Sequence, residues 1–366
     1  MRKNKRRAHG SPAPMIGINC SALEQGTPLP GVYGSDYENI IEAADPQELK
    51  RLYARGIRVI RVPFLWERLQ RSGTSPNVTP GSVALDAAYL GRIKLAMDRA
   101  WAAGLKVVPD LHNYGRYNSG TSVQNSNAAA DYPSGNNHII GRADGSSVPV
   151  TTVHLQDVWT KLATELKSHP ALLAYDIMNE PHDMDVSTRW FDAAQAAING
   201  IRSVDGKTEI WVEGNTWSHA SSWGTDSNTL QNLVDPAKNL RYSAHLYFDS
   251  DEGGNSGQTW ATASAAGVTT ATGLTRLAPF VTWLAANGKK GCIGETGVSI
   301  DDANWQIALG NMMARAIAKD IPVALWWYSR SAGSDPMNLY YDASGADTIT
   351  GPQNPSWAVI QRFLKA

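Results

Sequence analysis

The sequence lacks an excess of charge of either sign. Its 366 residues hold 33 Lys plus Arg against 34 Asp plus Glu, a formal net charge of -1. A nearly neutral chain gives no electrostatic basis for binding nucleic acid or an anionic membrane surface. Long apolar runs are missing too, because even residues 321–327 stop far short of the roughly 18 that cross a bilayer. We therefore expect neither a nucleic-acid-binding nor a membrane-spanning protein.

Cysteine and metal-binding motifs are also scarce. Cys20 and Cys292 are the two cysteines, too few for a disulfide scaffold and without the spacing of a zinc or thioredoxin motif. The eight histidines form no His-Glu-x-x-His motif. An acidic stretch at 249–255 departs from a calcium loop, since Gly253 stands at position five and Trp260 at position twelve. We expect no metal and no cofactor.

The chain does have the composition of a large globular core, with 42% apolar and 18% charged residues. Five of the first seven residues are Lys or Arg, but residues 8–13 supply no apolar segment of a signal peptide. We interpret residues 1–13 as a tail that is disordered or was added by cloning. Residues 14–366 are expected to form one catalytic domain.

Beyond residue 14, short β-branched runs alternate with segments of helical periodicity. The predicted strands are 15–19, 58–62, 106–111, 173–178, 209–213, 241–246, 291–295 and 322–327. Helices are predicted at 85–103, 186–204 and 302–319, the first with Leu90, Ile93, Met97 and Trp101 on its buried face. Eight βα repeats predict an α/β fold, a single (β/α)8 TIM barrel. Cys20 and Cys292 then fall on strands that the eighth strand separates, and we expect free thiols.

Three long loops follow predicted strands, at 113–153, 249–273 and 329–355. In a (β/α)8 barrel such loops lie at the C-terminal face, where active sites of this fold are built. We therefore expect the functional site among them.

Glu180 and Glu295 lie at or just beyond the ends of the predicted fourth and seventh strands. Glu180 lies in Asn179-Glu180-Pro181, and Glu295 follows Gly294, which leaves room for a ligand. A structural ion pair with Arg61 or a helix cap explains either glutamate alone. The fourth and seventh strands, however, lie across the barrel mouth from one another, so their carboxyls can flank one bond. Paired carboxylates are typical of glycoside hydrolysis.

These residues resemble the active site of glycoside hydrolase family 5. The matching positions, in order along nearly the whole barrel, are Arg61, His112, Asn113, Asn179, Glu180, Pro181, His245, Tyr247, Glu295 and Trp327. The stretches 179–184, 214–217 and 247–251 are similar to the cellulase subfamily of fungal and bacterial endoglucanases.

The resemblance implies roles for the two carboxyls. Glu180 is expected to be the general acid and then the general base, kept protonated by burial and by the neighbouring carboxylate. Glu295 is expected to be the ionised nucleophile, helped by Arg61 and by the Tyr247 hydroxyl. A retaining double displacement follows, with the carboxyls about 5 to 5.5 Å apart.

Other matching residues are expected to contact the sugar or hold the carboxylates. Asn179 is expected to bind the sugar 2-hydroxyl, and His112 and His245 to orient the sugar or the carboxylates, unless either His is an ordinary core histidine. The rest of the predicted site consists of Asn113, His182, Trp217 and Trp327.

The 13 tryptophans divide by their place in the predicted elements. Those assigned to helix packing are Trp101, Trp159, Trp190, Trp283, Trp305 and Trp357. Those assigned to sugar platforms are Trp66, Trp217, Trp223, Trp260 and Trp327. Either Trp326 or Trp327 is expected beneath the scissile sugar, and the resemblance favours Trp327.

The activity expected from this resemblance is that of a secreted endo-β-1,4-glucanase acting on cellulose or soluble β-glucan, as a monomer. An endo-β-mannanase or another β-glycanase is the alternative, because the same carboxylates serve several polysaccharide backbones. A barrel that binds glycan without hydrolysing it is a further alternative.

Overall fold

A computed structural model describes residues 15–26, 47–71, 83–120, 136–143, 145, 149–329, 335–340 and 354–364. The predicted tail at 1–13 lies outside the described residues, as do parts of the three predicted loops.

Eight parallel strands close into a barrel, as the βα repeats predict. They are β1 Ile16–Asn19, β2 Val59–Phe64, β3 Lys106–Leu111, β6 Ala174–Asp176, β7 Glu209–Glu213, β8 Leu240–His245, β9 Lys290–Glu295 and β10 Val323–Leu325. Sequential barrel strands are neighbours, and β10 pairs with β1 to complete the ring. Every residue of β1 and β2 is buried, which is typical of parallel strands covered on both faces. The predicted (β/α)8 fold is confirmed.

Helices surround the barrel. They are α1 Gln47–Ala54, α2 Trp66–Leu69, α3 Ala87–Ala102, α4 Thr152–Leu166, α5 Arg189–Arg202, α6 Trp223–Asp226, α7 Trp260–Ala265, α8 Thr272–Asn287, α9 Ala303–Ile317 and α10 Ser356–Leu364, with a 3-10 helix at Asn228–Asn232. Side-chain caps set several starts: Asp86 accepts a hydrogen bond from the Tyr89 N–H, and Asp302 from the Asn304 N–H. None of the described helices is long and apolar enough to cross a membrane.

The loops after β3 and β8 carry structure of their own. A short antiparallel hairpin, β4 Arg116–Asn118 and β5 Asn137–Ile139, follows β3. Helix α7 lies in the loop after β8. Both additions belong to the C-terminal face of the barrel, where the strands end.

One core prediction is wrong. Trp101 is 48% exposed, and the Lys106 ammonium lies 4.8 Å from its ring centroid. The buried face of α3 continues through Ala96 and Ala100, so Trp101 in the last turn falls at the edge of that face. Cys20 and Cys292 are buried free thiols, as expected.

Candidate active site

The barrel brings the two glutamates together at its C-terminal mouth. Glu295 is the last residue of β9, and Glu180 lies four positions after the end of β6. A carboxylate oxygen of Glu180, a ring nitrogen of His245 and a carboxylate oxygen of Glu295 all lie within 4.8 Å of one another. Strand order alone therefore places two carboxyls from distant parts of the chain at one point.

Two donors hold the carboxylate of Glu295. The Arg61 Nη1 donates to Oε1 at 2.7 Å, and the Tyr247 hydroxyl donates to Oε2 at 2.9 Å. Burial, aided by Glu295 and Glu180, raises the pKa of Tyr247 well above its ordinary value, so the hydroxyl keeps its proton. Both contacts match the expected ones, and both stabilise negative charge on Glu295.

Glu180 is held differently. Its side chain is 14% exposed, and its Oε1 lies 2.5 Å from the Nδ1 of His245. The backbone of Glu180 adopts a left-handed conformation, with φ +44°, which is uncommon for a residue with a side chain. Its N–H donates to the Oε2 of Glu213 at 2.6 Å. Within the part of the chain that the structure describes, the Glu180 carboxyl thus has one side-chain partner, which is itself titratable, and it has access to solvent.

Arg61 is surrounded by acids inside the barrel. Its Nε donates to Asp176 at 2.8 Å, and its Nη2 lies 3.0 Å from Asp110 and 2.8 Å from Glu213. Burial alone would lower the pKa of Arg61, but these three carboxylates and Glu295 raise it well above the ordinary value. The guanidinium therefore stays charged beneath the site. Our sequence interpretation named Arg61 and Glu295 but missed Asp110, Asp176 and Glu213.

Two buried histidines flank the carboxyls. The Nδ1 of His112 lies 2.7 Å from Asp110, which raises the pKa of His112 against the opposing effect of burial. His245 lies between Glu180 and Glu213, at 2.5 Å from Nδ1 and 3.1 Å from Nε2. Burial would lower the pKa of His245, but Glu213, Glu295 and Glu180 raise it well above the ordinary value. Neither ring is an ordinary apolar-core histidine.

Gly294 has a role that the sequence interpretation missed. A Cβ at this position would lie 3.1 Å from the Nε2 of His245 and closer still to the Ser243 hydroxyl. The glycine makes room for these two side chains within the barrel rather than for a ligand.

The predicted residues Asn179, Asn113 and His182 contact residues around the cleft but do not line it. Asn179 is fully buried, accepts from Arg61 Nη2 at 2.8 Å, and has its amide nitrogen 3.4 Å from His112 Nε2. Asn113 accepts from the Trp66 N–H at 2.9 Å and donates to the Glu67 carboxylate, so it supports the loop after β3.

His182 supports an aromatic wall. Its ring stacks on Trp217 with centroids 3.5 Å apart and planes at 9°. Burial and then the Arg116 guanidinium lower the pKa of His182 to about 4, so the ring is neutral near pH 7. His182 therefore presents Trp217 to the cleft instead of reaching the cleft itself.

Glu180 and Glu295 line a cleft of about 490 Å³. Its aromatic lining is Tyr114, Trp217, Tyr247 and Trp326, and residues 251–254 form part of its rim. Trp326 follows β10, and its backbone N–H donates to the carbonyl of Thr296 at 2.7 Å. Thr296 is the residue after Glu295. The Trp217 N–H donates to the carbonyl of Pro181, the residue after Glu180, at 3.3 Å. One tryptophan is thus anchored beside each glutamate.

Four of the predicted sugar platforms are wrong. Trp66 and Trp223 are fully buried, since the short helices that carry them fold back onto the core. Trp260 packs edge-on against Trp305, with centroids 4.9 Å apart, and does not line the cleft. Trp327 stacks behind Trp326 at 5.1 Å, so Trp326 is the ring that faces the cleft.

Tyr114 and His219 line the cleft and were missed by our sequence interpretation. Each lies within two residues of a predicted site position, Tyr114 after His112 and His219 after Trp217. That proximity is the one signal the sequence offers for them, because loop residues show no periodicity that fixes their facing.

Glu180, His245 and Glu295 are also spaced closely enough to hold a metal ion. Both carboxylate oxygens of Glu295, however, already accept hydrogen bonds, one from the charged Arg61 guanidinium and one from the Tyr247 hydroxyl. A cation would have to displace these donors and would face the Arg61 charge. The donor set therefore suits a carboxylate that reacts with an electrophile better than one that binds a metal.

Comparison with known proteins identifies close relatives of this arrangement. The sequence profile described as Cellulase (glycosyl hydrolase family 5) matches residues 8–332. A probable endo-β-1,4-glucanase B from Neosartorya fischeri is 32% identical over 317 residues, covering 85% of this chain and 81% of the relative. The endoglucanase Cel5A of Pseudomonas stutzeri, solved in complex with cellobiose, superposes with a TM-score of 0.77 at 32% identity over 96% of this chain and 92% of that one. XacCel5A in complex with cellopentaose superposes with a TM-score of 0.76 at 27% identity, over 96% and 99% of the two chains.

Proposed function

The chain belongs to the cellulases of glycosyl hydrolase family 5, and on this premise we propose that it hydrolyses internal β-1,4-glucosidic bonds of cellulose or soluble β-glucan with retention of configuration. The observation that carries the proposal is the pair Glu180 and Glu295 at the barrel mouth, with an oxygen of each within 4.8 Å. Retaining enzymes place their carboxyls about 5 to 5.5 Å apart, whereas inverting enzymes leave room for a water between them.

In the first step Glu295 attacks the anomeric carbon of the bound sugar. The bond from that carbon to the glycosidic oxygen breaks, and Glu180 gives its proton to the departing oxygen. The products are a shortened chain with a free hydroxyl and a glycosyl ester on Glu295. His245, positively charged and 2.5 Å from Glu180, stabilises the carboxylate that Glu180 becomes.

In the second step Glu180 acts as a base. It takes a proton from a water molecule, whose oxygen attacks the anomeric carbon and releases Glu295 as a carboxylate. Arg61 and Tyr247 receive the returning charge, since they already donate to both oxygens of Glu295. Two inversions at one carbon give net retention.

The remaining site residues are proposed to bind and orient the sugar. Asn179 is proposed to bind the 2-hydroxyl, supported by its position between Arg61 and His112. Trp326 is proposed as the platform on the Glu295 side and Trp217 on the Glu180 side. Flat apolar rings in an open cleft suit an uncharged polymer.

We propose further that residues 14–366 form one catalytic domain that works as a monomer outside the cell. The support for one domain is the barrel that closes between β1 and β10, with α10 packed on the outside. Cellulose is too large to enter a cell, so an enzyme that cuts it internally must meet it outside. The fungal endo-β-1,4-glucanase relatives are consistent with this location.

The experiment that tests the function measures reducing ends released from carboxymethylcellulose, mixed-linkage β-glucan, galactomannan and xylan, with Glu295→Ala as the control on each. We expect rapid release from the glucans, abolished in the variant. Release from galactomannan alone would replace the substrate with mannan, and no release from any polymer would favour a barrel that only binds glycan.

A further inference from the structure

Glu213 is a buried carboxylate that contacts the acid/base apparatus without lining the cleft. It ends β7, is fully buried, and lies beneath Glu180, His245 and Arg61. We propose that Glu213 is a positioning residue for Glu180, holding both its backbone and its histidine partner in the geometry that proton donation requires. The proposal rests on the role of Glu180 proposed above.

The first contact is with the backbone of Glu180. The Oε2 of Glu213 accepts from the Glu180 N–H at 2.6 Å. The left-handed conformation of Glu180 is strained for a residue with a side chain, so it persists because surrounding contacts hold it. A charge-assisted hydrogen bond from a fixed carboxylate is such a contact.

The second contact is with His245. The Oε1 of Glu213 lies 3.1 Å from Nε2, while Glu180 lies 2.5 Å from Nδ1. With a carboxyl oxygen facing each nitrogen, both nitrogens can donate, and the ring then carries a positive charge. Glu213 therefore directs a proton of His245 towards Glu180, where negative charge forms as the glycosidic bond breaks.

The third contact fixes Glu213 itself. The same Oε1 accepts from Arg61 Nη2 at 2.8 Å, and the Glu213 carbonyl accepts from the Trp190 indole at 2.7 Å. Arg61 also donates to Glu295, so one guanidinium connects the residue behind the acid/base with the nucleophile. A purely structural role as a counterion for Arg61 is the alternative.

Asp176 provides a matched control for that alternative. It is another fully buried carboxylate on the same guanidinium, at 2.8 Å from Nε, and its partner among the described residues is Arg61 rather than Glu180 or His245. Glu213→Gln and Asp176→Asn each remove one acidic group beside Arg61. Only the first removes the contacts to the acid/base side, because one amide oxygen cannot accept from Arg61, the Glu180 N–H and His245 together.

The test compares kcat/KM of wild type and both variants on aryl β-cellobiosides, from dinitrophenyl, which leaves without a proton, to phenyl, which needs one. For Glu213→Gln we expect a loss of about 10²-fold on the phenyl substrate and under about 3-fold on the dinitrophenyl one. Asp176→Asn should lower both by a similar factor. Equal losses on both substrates for Glu213→Gln, matching those of Asp176→Asn, would overturn the positioning role.

Two further measurements keep the test decisive. If Glu213→Gln does not fold, Glu213→Asp keeps the charge but shortens the reach to Glu180, and the same dependence on the leaving group is expected in weaker form. Its absence would also overturn the proposal. A wild-type enzyme inactive on every cellobioside and every β-glucan would overturn the proposed function itself, which is a distinct result.

Discussion

Glu295 and Glu180 face each other across one barrel mouth, but the protein holds them in opposite ways. Glu295 ends a strand, is nearly buried, and accepts from two donors, Arg61 and Tyr247, that keep their protons. Glu180 lies beyond its strand in a left-handed conformation, is partly exposed, and has the titratable His245 as its side-chain partner. One carboxyl is fixed by two permanent donors, and the other has a partner whose own charge can change.

This difference is consistent with the different roles that we propose for these two chemically identical side chains. A nucleophile needs fixed donors because its charge must survive until it attacks. An acid that becomes a base needs contact with water and a partner that adjusts to its charge. Substitutions of each glutamate, and of the residues that surround it, test this difference one at a time.

The largest effect is expected from Glu295→Ala. Without this carboxylate no glycosyl ester forms, so turnover should fall by about 10⁵-fold or more on polysaccharide and on dinitrophenyl β-cellobioside alike. The measurement is release of reducing ends and of dinitrophenol. Near-normal turnover of the activated substrate would show that Glu295 is not the nucleophile.

Glu180→Gln should lower turnover only of substrates whose leaving oxygen needs a proton. We expect a loss of about 10² to 10⁴-fold on polysaccharide, which needs a proton on its leaving oxygen, with binding nearly intact. Formation of the glycosyl ester from dinitrophenyl β-cellobioside should stay close to the wild-type rate, which a pre-steady-state burst of dinitrophenol measures. Loss of that burst would contradict the assignment of Glu180 as the acid.

Tyr247→Phe tests the donors on the nucleophile side. Removing a hydrogen bond to a charged group typically costs about 1.5 to 3 kcal/mol, which corresponds to roughly 10 to 100-fold in rate. Because the contact is to Glu295, the loss should be similar for good and poor leaving groups. Tyr242→Phe is the matched control, since Tyr242 lies on β8, the strand that Tyr247 follows, and its buried hydroxyl donates to the Leu230 carbonyl of the 3-10 helix. We expect little change in rate for it.

The two cleft tryptophans should separate the two halves of the substrate. Trp326→Ala, beside Glu295, is expected to weaken turnover of oligosaccharide and aryl cellobioside alike, by about 3 to 10-fold. Trp217→Ala, beside Glu180, should weaken turnover of cellopentaose by a similar factor but leave the aryl cellobioside, which has no leaving sugar, nearly unchanged. The reverse pattern would exchange the two ends of the cleft.

The smallest effect is expected in a pH titration of the wild-type protein, monitored by nitrogen NMR of the histidine rings. His245, whose pKa is raised by Glu213, Glu295 and Glu180 against its burial, should have both nitrogens protonated at neutral pH. His182, whose pKa burial lowers to about 4, should be neutral there and gain its second proton only near that pH. A neutral His245 at pH 7 would contradict the charge assigned to the acid/base side.

The barrel was predictable because each of its strands is a local pattern. Predicted strands 106–111 and 209–213 coincide with β3 Lys106–Leu111 and β7 Glu209–Glu213. Both glutamates were found because they end or closely follow strands whose order the fold dictates. These features need no knowledge of distant contacts.

The rest depends on contacts that the sequence does not encode locally. Glu213 also ends a predicted strand, but it was not singled out, because what sets it apart is its contact with Arg61, His245 and the Glu180 backbone, all remote in sequence. The predicted strand 322–327 ends at Leu325, so alternation along a strand cannot tell which of Trp326 and Trp327 faces the cleft. Trp66 looked like a loop residue, but its short helix is buried.

The central claim, that Glu295 attacks and Glu180 exchanges the proton, is tested most directly by azide rescue of Glu180→Ala and Glu295→Ala with dinitrophenyl β-cellobioside. In Glu180→Ala, azide attacks the glycosyl ester from the face opposite Glu295, and we predict the β-glycosyl azide. In Glu295→Ala, azide takes the place of the missing carboxylate, and we predict the α-glycosyl azide. Products of the opposite configuration, read by proton NMR, would contradict the assigned roles.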